Sequence, residues 1–588
     1  MTAIIAVSLS GLGTARRIAG ALEARLHARH PAADVVITEL GPHLRGLFRS
    51  GEPVVFIGAI GALVRMLAPV IDDKRTDPPV VAVADDASAV VPILGGHTGA
   101  NDLAVRIGNV LGVSPTITTA SDLVLGVALD APPSGWHLAP TASYAGVASR
   151  LLAGEAVSVD PDLAWLDAAK LNRHDGAVLT LRAGHRAEPV PADGLLYHPE
   201  ILAVGVGCVR AADPEELDAL VRTTLARNAL APESVALVAS IDLKMDEPAV
   251  HAAADALDRP ARFFSAVRLE RESPRLATPS DVVFAAVGTH GVAEAAALAA
   301  AGDEARLIVP KQRSANATCA VAIAPGVIDP AGTGQGRGRL FVVGTGPGAA
   351  DWRTAQTDRL VSAATDLVGY DLYLDLLGPL AAGKRCHRFP LGAERERVVA
   401  ALEIAAGGST VALVSSGDPG VYAMASLVFE TLDRTRREDW RRIAVEVAPG
   451  ISAAFACAAR SGAPLGHDFC MISLSDLLTP RAVILERLRA AAEGDFVVAL
   501  YNPASSRRRD LLARALEILA ASRPPDTPVV HGRSIGRTEE RIEVTGLAGF
   551  NPETVDMLSL LLVGNSRTRT VGDHVYTPRG YAVEGNTS

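Results

Sequence analysis

The segment Val411–Met424 reads VALVSSGDPGVYAM, and it constrains the fold more than any other part of the chain. A short apolar run, Val411–Val414, leads into a turn rich in glycine and proline, and a helix-like pattern follows. A strand, a tight turn and a helix in this order form the repeating unit of a parallel α/β sheet, whose turn presents backbone N–H groups to a small ligand. We therefore predict an α/β fold with a ligand site at the turn around Gly417.

The same alternation of short β-branched runs, glycine and Ala/Leu/Arg-rich helices extends over all 588 residues. It predicts several domains with mainly parallel sheets, because a chain of this length exceeds what one core holds. The clearest boundary is APGVIDPAGTGQGRG at 324–338, which has five glycines and two prolines. We predict domains at 1–130, 131–200 and 201–324, with a flexible linker at 325–338.

Composition and charge exclude several classes of protein. The net charge is −10 and no long stretch is rich in Lys and Arg, so nucleic acid is not an expected partner. Five scattered cysteines without a CxxC pair argue against a disulfide scaffold or a thiolate zinc site, and no metal site is predicted. No apolar run approaches the roughly 18 residues that cross a bilayer, and the N-terminal residues resemble a first βα unit rather than a leader. We expect a cytoplasmic protein that does not enter a membrane.

Four further segments accompany Val411–Met424 in order: LFVVGTGPG from 340, VEVAPGISA from 445, FVVALYNP from 496 and GRSIGR from 532. The five together resemble the tetrapyrrole (corrin/porphyrin) methylases, which use S-adenosylmethionine (SAM). The resemblance implies a two-domain methylase fold at 339–455 and 456–588. It also implies a set of cofactor-binding residues: Gly346, Pro347, Gly348, Ser416, Gly417, Asp418, Val421, Ser452, Ala453 and Tyr501.

The segments LYNPASSRR from 500 and GRSIGRTEE from 532 resemble the precorrin-3B C-17-methyltransferase branch of that family. That branch methylates carbon 17 of a polycarboxylated tetrapyrrole and promotes contraction of its ring on the way to cobalamin. Arginines bind carboxylates in pairs of hydrogen bonds, so Arg507, Arg533 and Arg537 are candidate substrate ligands. A solvated basic face is the alternative for Arg507 and its neighbours. The resemblance further implies Asp371 and Lys384 as proton-transfer residues, although a surface ion pair explains them equally well.

The first half carries VFIGAIGALVR from 55, LGGHTGAND from 94, ASIDLKMDEP from 239, VGTHGVAE from 287 and VPKQRS from 309. These segments resemble the cobalt-precorrin-5A hydrolases, which open a lactone on the macrocycle and release a two-carbon aldehyde. Such chemistry needs an acid and a base, for which we predict His97 and Glu294, and cations for side-arm carboxylates, for which we predict Lys244 and Lys311. A loop histidine without chemistry is the alternative for His97.

Two halves that resemble enzymes of one pathway predict a bifunctional enzyme, in which the tether raises the local concentration of the second site. Two alternatives stay open. In the first alternative, the N-terminal half is a corrinoid-binding module without catalysis. In the second, the methylase acts on another tetrapyrrole. The sequence does not decide whether the substrate carries cobalt. We expect a homodimer formed through the C-terminal half.

Overall fold

A computed structural model of the chain describes residues 2–37, 39–73, 76–117, 124–141, 144–503 and 510–581. The chain divides into two compact units, residues 1–336 and 337–588, and each is described by itself. Among the described residues, no helix combines the length and apolar character needed to span a bilayer.

The first sheet of unit 1–336 has six strands in the order β3-β2-β1-β4-β5-β6. All neighbours are parallel except β5 and β6, which are antiparallel. The runs β1, β4 and β5 are buried along their whole length, as expected for strands covered by helices on both faces. The strands are Ala3–Ala6 (β1), Arg25–Ala28 (β2), Val35–Val36 (β3), Val54–Ile57 (β4), Val80–Val83 (β5) and Val90–Leu94 (β6); the helices are Leu12–Leu22, Leu40–Arg49, Ile60–Leu67 and Ala100–Leu111.

A four-stranded mixed sheet follows, in the order β7-β10-β9-β8, with the helix Tyr144–Leu152. Its core includes the fully buried Tyr197, whose hydroxyl donates to the carbonyl of Leu129 at 2.8 Å. The strands are Trp136–Leu138 (β7), Val157–Val159 (β8), Leu179–Ala183 (β9) and Gly194–Pro199 (β10).

The third sheet has the order β13-β12-β11-β15-β14, and β15 runs antiparallel to both neighbours. The strands are Leu202–Cys208 (β11), Val235–Ile241 (β12), Ala261–Phe264 (β13), Arg306–Arg313 (β14) and Ala317–Ile323 (β15); the helices are Pro214–Arg227, Pro248–Asp255, Ala266–Glu270, Asp281–Val287 and Ala293–Ala301. All nine residues of Ala293–Ala301 are buried. This helix packs closely on β11, because a Cβ at Gly205 would lie 1.9 Å from the carbonyl oxygen of Ala293.

Unit 337–588 opens with a five-stranded, fully parallel sheet in the order β18-β17-β19-β16-β20. The strands are Arg339–Gly344 (β16), Asp366–Tyr370 (β17), Arg385–Phe389 (β18), Thr410–Ser415 (β19) and Ala444–Ala448 (β20); the helices are Ala355–Ala363, Asp371–Asp375, Glu394–Ala406, Met424–Arg434 and Glu438–Arg441. The carboxyl ends of these strands therefore meet at one edge, where a ligand site is expected.

A second five-stranded sheet, in the order β22-β23-β26-β24-β25, is antiparallel apart from the β22–β23 pair. Its strands are Phe469–Ser473 (β22), Val497–Tyr501 (β23), Pro528–Arg533 (β24), Arg541–Gly546 (β25) and Ser559–Val563 (β26), with helices Ala453–Ser461, Arg481–Glu493 and Asp510–Ala520. The strands Gly462–Ala463 (β21), Arg569–Val571 (β27) and His574–Tyr576 (β28) form a small third sheet.

The predicted fold class, α/β with mainly parallel sheets, is confirmed. The six-part domain division stays a prediction. The unit boundary at 336–337 falls inside the predicted linker, and part of that linker lies against the first unit. Gln335 exchanges two backbone hydrogen bonds with Phe263, and Ile328 is buried.

Candidate active sites

Two glycine turns meet at the carboxyl edge of the parallel sheet of unit 337–588. Gly346, after β16, and Gly417, after β19, exchange backbone hydrogen bonds with N–O distances of 3.2 and 2.8 Å. Both residues have positive φ, +73° and +66°, which favours glycine at each position. The hydroxyl of Ser416 donates to the carbonyl of Gly346 at 3.4 Å. The structure therefore places Gly346, Ser416 and Gly417 side by side.

Asp418 joins a third turn to this pair. One carboxylate oxygen accepts the N–H of Gly420 at 2.8 Å, and the other accepts the N–H of Gly450, after β20, at 3.1 Å. The turns approach so closely that a Cβ on Gly450 would lie 2.0 Å from the carbonyl oxygen of Gly417. The carbonyl of Asp418 also accepts the N–H of Val421 at 3.2 Å. Asp418 thus organises the turns of the cleft through both carboxylate oxygens.

The second sheet of the unit contributes Tyr501 at the end of β23. Its hydroxyl contacts that of Ser452, and it accepts the N–H of Ala454 at 3.0 Å. Burial raises the pKa of the Tyr501 phenol, with the hydrogen bonds from Ser452 and Ala454 opposing the shift. Ser452, Ala453 and Tyr501 therefore lie together at the start of the helix Ala453–Ser461.

The first and the last of the five predicted segments meet at Gly348 and Gly536. A Cβ on Gly348 would lie 2.3 Å from the carbonyl oxygen of Gly536, so only glycine permits this approach. Beside them, the Nε of Arg537 donates to the carbonyl oxygen of Pro347 at 3.4 Å. All five motif segments of the second half thus converge on one cleft.

In unit 1–336, the predicted residues are divided between two sheets. The backbone of His97 lies in the 3-10 helix Gly96–Thr98, after β6. Because β6 is antiparallel to β5, this end of β6 lies at the amino end of β5. Glu294 lies in the helix Ala293–Ala301, which packs on the sheet of residues 202–323, and Lys311 lies in β14 of that sheet. The structure therefore does not place the predicted acid and base on one sheet edge.

Glu294 is buried and anchors a loop. Its carboxylate accepts the backbone N–H groups of Ala277, Thr278 and Lys311 at 2.9, 3.0 and 2.9 Å. It also accepts the hydroxyl of Thr278 at 3.0 Å. Burial alone would raise the pKa of Glu294, but these hydrogen bonds outweigh it and hold the pKa below its usual value. Such contacts favour a structural role, and the catalytic role of Glu294 stays a prediction.

The two predicted lysine anchors are both engaged within the chain. Lys311 Nζ donates to the carbonyl of Thr278 at 3.2 Å, and burial lowers the pKa of Lys311. Lys244 lies in the 3-10 helix Asp242–Lys244 after β12, and its Nζ is 3.3 Å from a carboxylate oxygen of Glu247.

Family models match three regions of this chain. Residues 339–550 match the tetrapyrrole (corrin/porphyrin) methylases, residues 42–122 the N-terminal region of cobalamin synthesis G, and residues 202–322 its C-terminus. A precorrin-3B C(17)-methyltransferase from Sinorhizobium sp. is 45% identical over 256 residues, which are 42% of this chain and 98% of that protein. The chain belongs to the tetrapyrrole methylase family.

Two further relatives of this methylase carry related names. CobIJ of Mycobacterium bovis is 45% identical over 259 residues, 43% of this chain, and the match spans 50% of CobIJ. A probable cobalt-factor III C(17)-methyltransferase of Salmonella typhimurium is 43% identical over 244 residues, 42% of this chain and all of that protein. The chain is thus a methyltransferase of a cobalamin-pathway family, with regions similar to cobalamin synthesis G before it.

The structure separates the two predicted proton-transfer residues of the methylase. Asp371 follows β17 at the carboxyl edge, and it lies 3.6 Å from a guanidinium nitrogen of Arg388. Lys384 precedes β18, which is parallel to β17, and therefore lies at the opposite, amino edge. Its Nζ donates to the carbonyls of Ser362 and Ala364 at 2.8 and 2.6 Å. This position at the edge opposite the cleft does not favour a role in proton transfer, and that role of Lys384 stays a prediction.

The predicted arginines differ in their surroundings. Arg533 pairs with Asp556 at 2.7 Å, which raises the pKa of its guanidinium. Arg537 lies in the cleft beside Pro347. Arg507 and its neighbours lie outside the described residues, so their role stays a prediction.

Tyr422 is a cleft residue that the motif analysis did not select. It has a φ of +52°, which is strained for a residue with a side chain and typical of functional sites. Its hydroxyl donates to the carbonyl of Met471 at 2.8 Å, and its ring centroid lies 5.3 Å from that of Tyr501. The only signal in the sequence is an aromatic residue two positions after Gly420 in the predicted ligand turn.

The cleft fits the cofactor that this family uses. The side chain of Ser452 makes no capping hydrogen bond to the helix Ala453–Ser461, and at the start of this helix the N–H of Ala454 donates to Tyr501. A Cβ at Gly346 or Gly450 would lie 2.8 Å from the carbonyl oxygen of Trp352 or 2.0 Å from that of Gly417, so glycine at these two positions permits the close approach of the backbones.

Proposed function

We propose that residues 337–588 methylate carbon 17 of precorrin-3B, or of its cobalt form, with SAM as donor, and that ring contraction follows. We further propose that residues 1–336 open a lactone on the macrocycle, as cobalt-precorrin-5A hydrolases do. The proposal places both reactions in cobalamin biosynthesis and in the cytoplasm.

One observation carries the methylase proposal: five motif segments, four of which contain a glycine turn, meet at one cleft, and Asp418 and Tyr501 join three of them by hydrogen bonds. SAM supplies an activated methyl group for direct displacement, so catalysis depends mainly on placement. Backbone N–H groups at the start of Ala453–Ser461 would hold the carboxylate of the cofactor, and Asp418 would keep the turns in place.

The names of the relatives support carbon 17 as the acceptor. Proteins named for precorrin-3B and for cobalt-factor III are 45% and 43% identical to this chain, a difference too small to select one metal state. Arg537 is proposed to bind a carboxylate arm of the substrate, because its Nε lies at the rim of the cleft beside Pro347. Asp371, at the same sheet edge, is proposed as the proton shuttle of ring contraction.

The matches to both regions of cobalamin synthesis G support the hydrolase proposal. The contacts of Glu294 and Lys311, which are satisfied within the chain, equally suit a module that binds a corrinoid without catalysis. The two alternatives differ in one product, because only a hydrolase adds a water to the macrocycle.

The test is incubation of the full chain with SAM and either precorrin-3B or cobalt-factor III, followed by mass spectrometry. A gain of one methyl group with either substrate supports the methylase proposal, and methylation of an early porphyrinogen alone would reject it. Cobalt-precorrin-5A is supplied in a parallel reaction, in which gain of water and release of an aldehyde support the hydrolase. Binding of cobalt-precorrin-5A without gain of water or release of an aldehyde would instead support a corrinoid-binding module without catalysis.

We also propose a homodimer formed through residues 337–588, with a molar mass of twice 61.0 kDa. Light scattering after size exclusion tests it, and a mass of one chain at micromolar concentration would reject it.

A further inference from the structure

A histidine and a glutamate form an oriented pair in the sheet region of residues 202–323. Nδ1 of His290 lies 2.8 Å from one carboxylate oxygen of Glu270, and the backbone N–H of His290 donates to the other at 2.9 Å. Glu270 therefore fixes both the backbone and the ring of His290. The pKa of Glu270 lies below its usual value, and the main cause is the hydrogen bond that its carboxylate accepts from the backbone N–H of His290.

The opposite nitrogen of the ring is available for chemistry. Nε2 of His290 lies 3.5 Å from the exposed carboxylate of Asp281, beyond hydrogen-bond distance, and the side chain is partly exposed. On the Nδ1 side, the hydroxyl of Ser273 lies 3.1 Å from Glu270 and 3.2 Å from His290. A carboxylate that holds Nδ1–H leaves Nε2 as the atom that takes up or gives a proton.

An apolar helix without a buried side chain lies beside this pair. The helix Asp281–Val287 reads DVVFAAV, and none of its residues is buried. Val282 is 81% exposed, and Phe284 is 44% exposed although its ring stacks on His290 at a centroid distance of 4.4 Å. An exposed apolar surface of this kind marks an interaction site, and it suits the apolar face of a large ring whose carboxylates lie on side arms.

Glu294 holds the loop that leads into this helix. Its carboxylate binds Ala277 and Thr278, and the N–H of Ser280 donates to the carbonyl of His290 at 2.8 Å. The loop is therefore fixed at both ends, which sets the position of the apolar helix relative to His290.

We propose that His290 is the general acid and base of lactone opening, that Glu270 is its positioning residue, and that the exposed face of Asp281–Val287 carries the macrocycle. This inference rests on the proposed hydrolase function. Nε2 of His290 takes a proton from water as the water oxygen bonds to the lactone carbonyl carbon. The acyl carbon–oxygen bond then breaks, and the departing ring oxygen receives the proton from Nε2. One water is consumed, and a carboxyl and a hydroxyl group are formed.

The test uses the full chain with cobalt-precorrin-5A and compares His290→Gln and Glu270→Gln with the unaltered protein. We expect the turnover number of lactone opening to fall about 100-fold or more for His290→Gln, because a positioned acid/base contributes that much. For Glu270→Gln we expect a fall in turnover number with KM unchanged within about threefold, the pattern of a residue that acts in the transition state. The matched control is His174→Gln, at an exposed histidine of the same unit.

Circular dichroism and thermal unfolding of each variant, compared with the unaltered protein, report whether the unit of residues 1–336 is folded, because methylation by residues 337–588 reports only on its own unit. Chemical rescue separates catalysis from structure: free imidazole restores part of the turnover of His290→Ala if the ring itself transfers the proton. Unchanged turnover in His290→Gln, or no rescue of an inactive His290→Ala, overturns the inference while the hydrolase proposal stands. Absence of lactone opening in the unaltered protein overturns both.

Discussion

The hydroxyl groups of Ser452 and Tyr501 form a hydrogen bond that joins the two five-stranded sheets of residues 337–588. Ser452 begins the helix after β20, and Tyr501 ends β23. The same phenol accepts the N–H of Ala454, so one half-buried oxygen fixes the start of a helix that is proposed to hold SAM.

Replacement of Tyr501 by Phe removes this oxygen and keeps the ring. Two hydrogen bonds are lost, each with a net value of about 0.5–1.5 kcal/mol, and the N–H of Ala454 loses its partner. We expect SAM to bind about 5- to 100-fold more weakly by calorimetry. Tyr581→Phe, at an exposed tyrosine, is the control and should bind as the unaltered protein does. Equal SAM affinity in the two variants would remove Tyr501 from the site.

Substitution of Gly450 by Ala tests the close approach of the turns. The new Cβ would lie 2.0 Å from the carbonyl oxygen of Gly417. Neither atom can move by a rotation of a side chain, so the turns must separate. We expect a loss of stability of about 1–3 kcal/mol, typical of overpacking, and loss of SAM binding. Gly549→Ala is the matched control, because nothing lies within 4 Å of its Cβ position. Thermal unfolding and calorimetry measure both effects, and a Gly450→Ala protein indistinguishable from the control contradicts the structure of the cleft.

The turns of the cleft could be predicted from the sequence because each motif contains both the end of a strand and the turn that follows it. Gly346 and Gly417 were both expected at the site, and the structure places them in contact. The direction of β6 could not be predicted from the sequence, and because β6 is antiparallel it places His97 at the amino end of β5. Lys384 directly precedes β18, which places it at the amino edge of the parallel sheet. The pair of His290 and Glu270 was also missed, because its members are 20 residues apart and only the fold brings them together.

Asp366 is expected to make stability depend on pH. It is buried in β17, and although burial opposes ionisation, hydrogen bonds from Arg385, His387 and Thr365 lower the pKa of its carboxyl. A pKa lower in the folded than in the unfolded state adds stability above the unfolded value of 3.8, and this stability is lost as pH falls through the folded value. Asp366→Asn should therefore lower the melting temperature at pH 7, and its difference from the unaltered protein should shrink below about pH 4.

Calorimetric scans from pH 7 to pH 3 measure this difference. Asp573→Asn, at an exposed aspartate, is the control and should melt with the unaltered protein across the range. A difference for Asp366→Asn that stays constant down to pH 3 would show that its carboxylate does not depend on these partners.

Replacement of Glu294 by Gln separates a structural from a catalytic role. The amide retains one acceptor oxygen, but its NH2 group faces backbone N–H donors that the carboxylate accepted, so at least one buried donor loses its partner. An unsatisfied buried donor costs about 1–3 kcal/mol, and we expect a corresponding fall in melting temperature. At temperatures where the variant is folded, lactone opening should keep a turnover number within about threefold of the unaltered protein, since a structural residue contributes little in the transition state. Glu304→Gln, at an exposed glutamate of the same unit, should change neither quantity. A large fall in turnover number without a fall in melting temperature would instead assign Glu294 to catalysis.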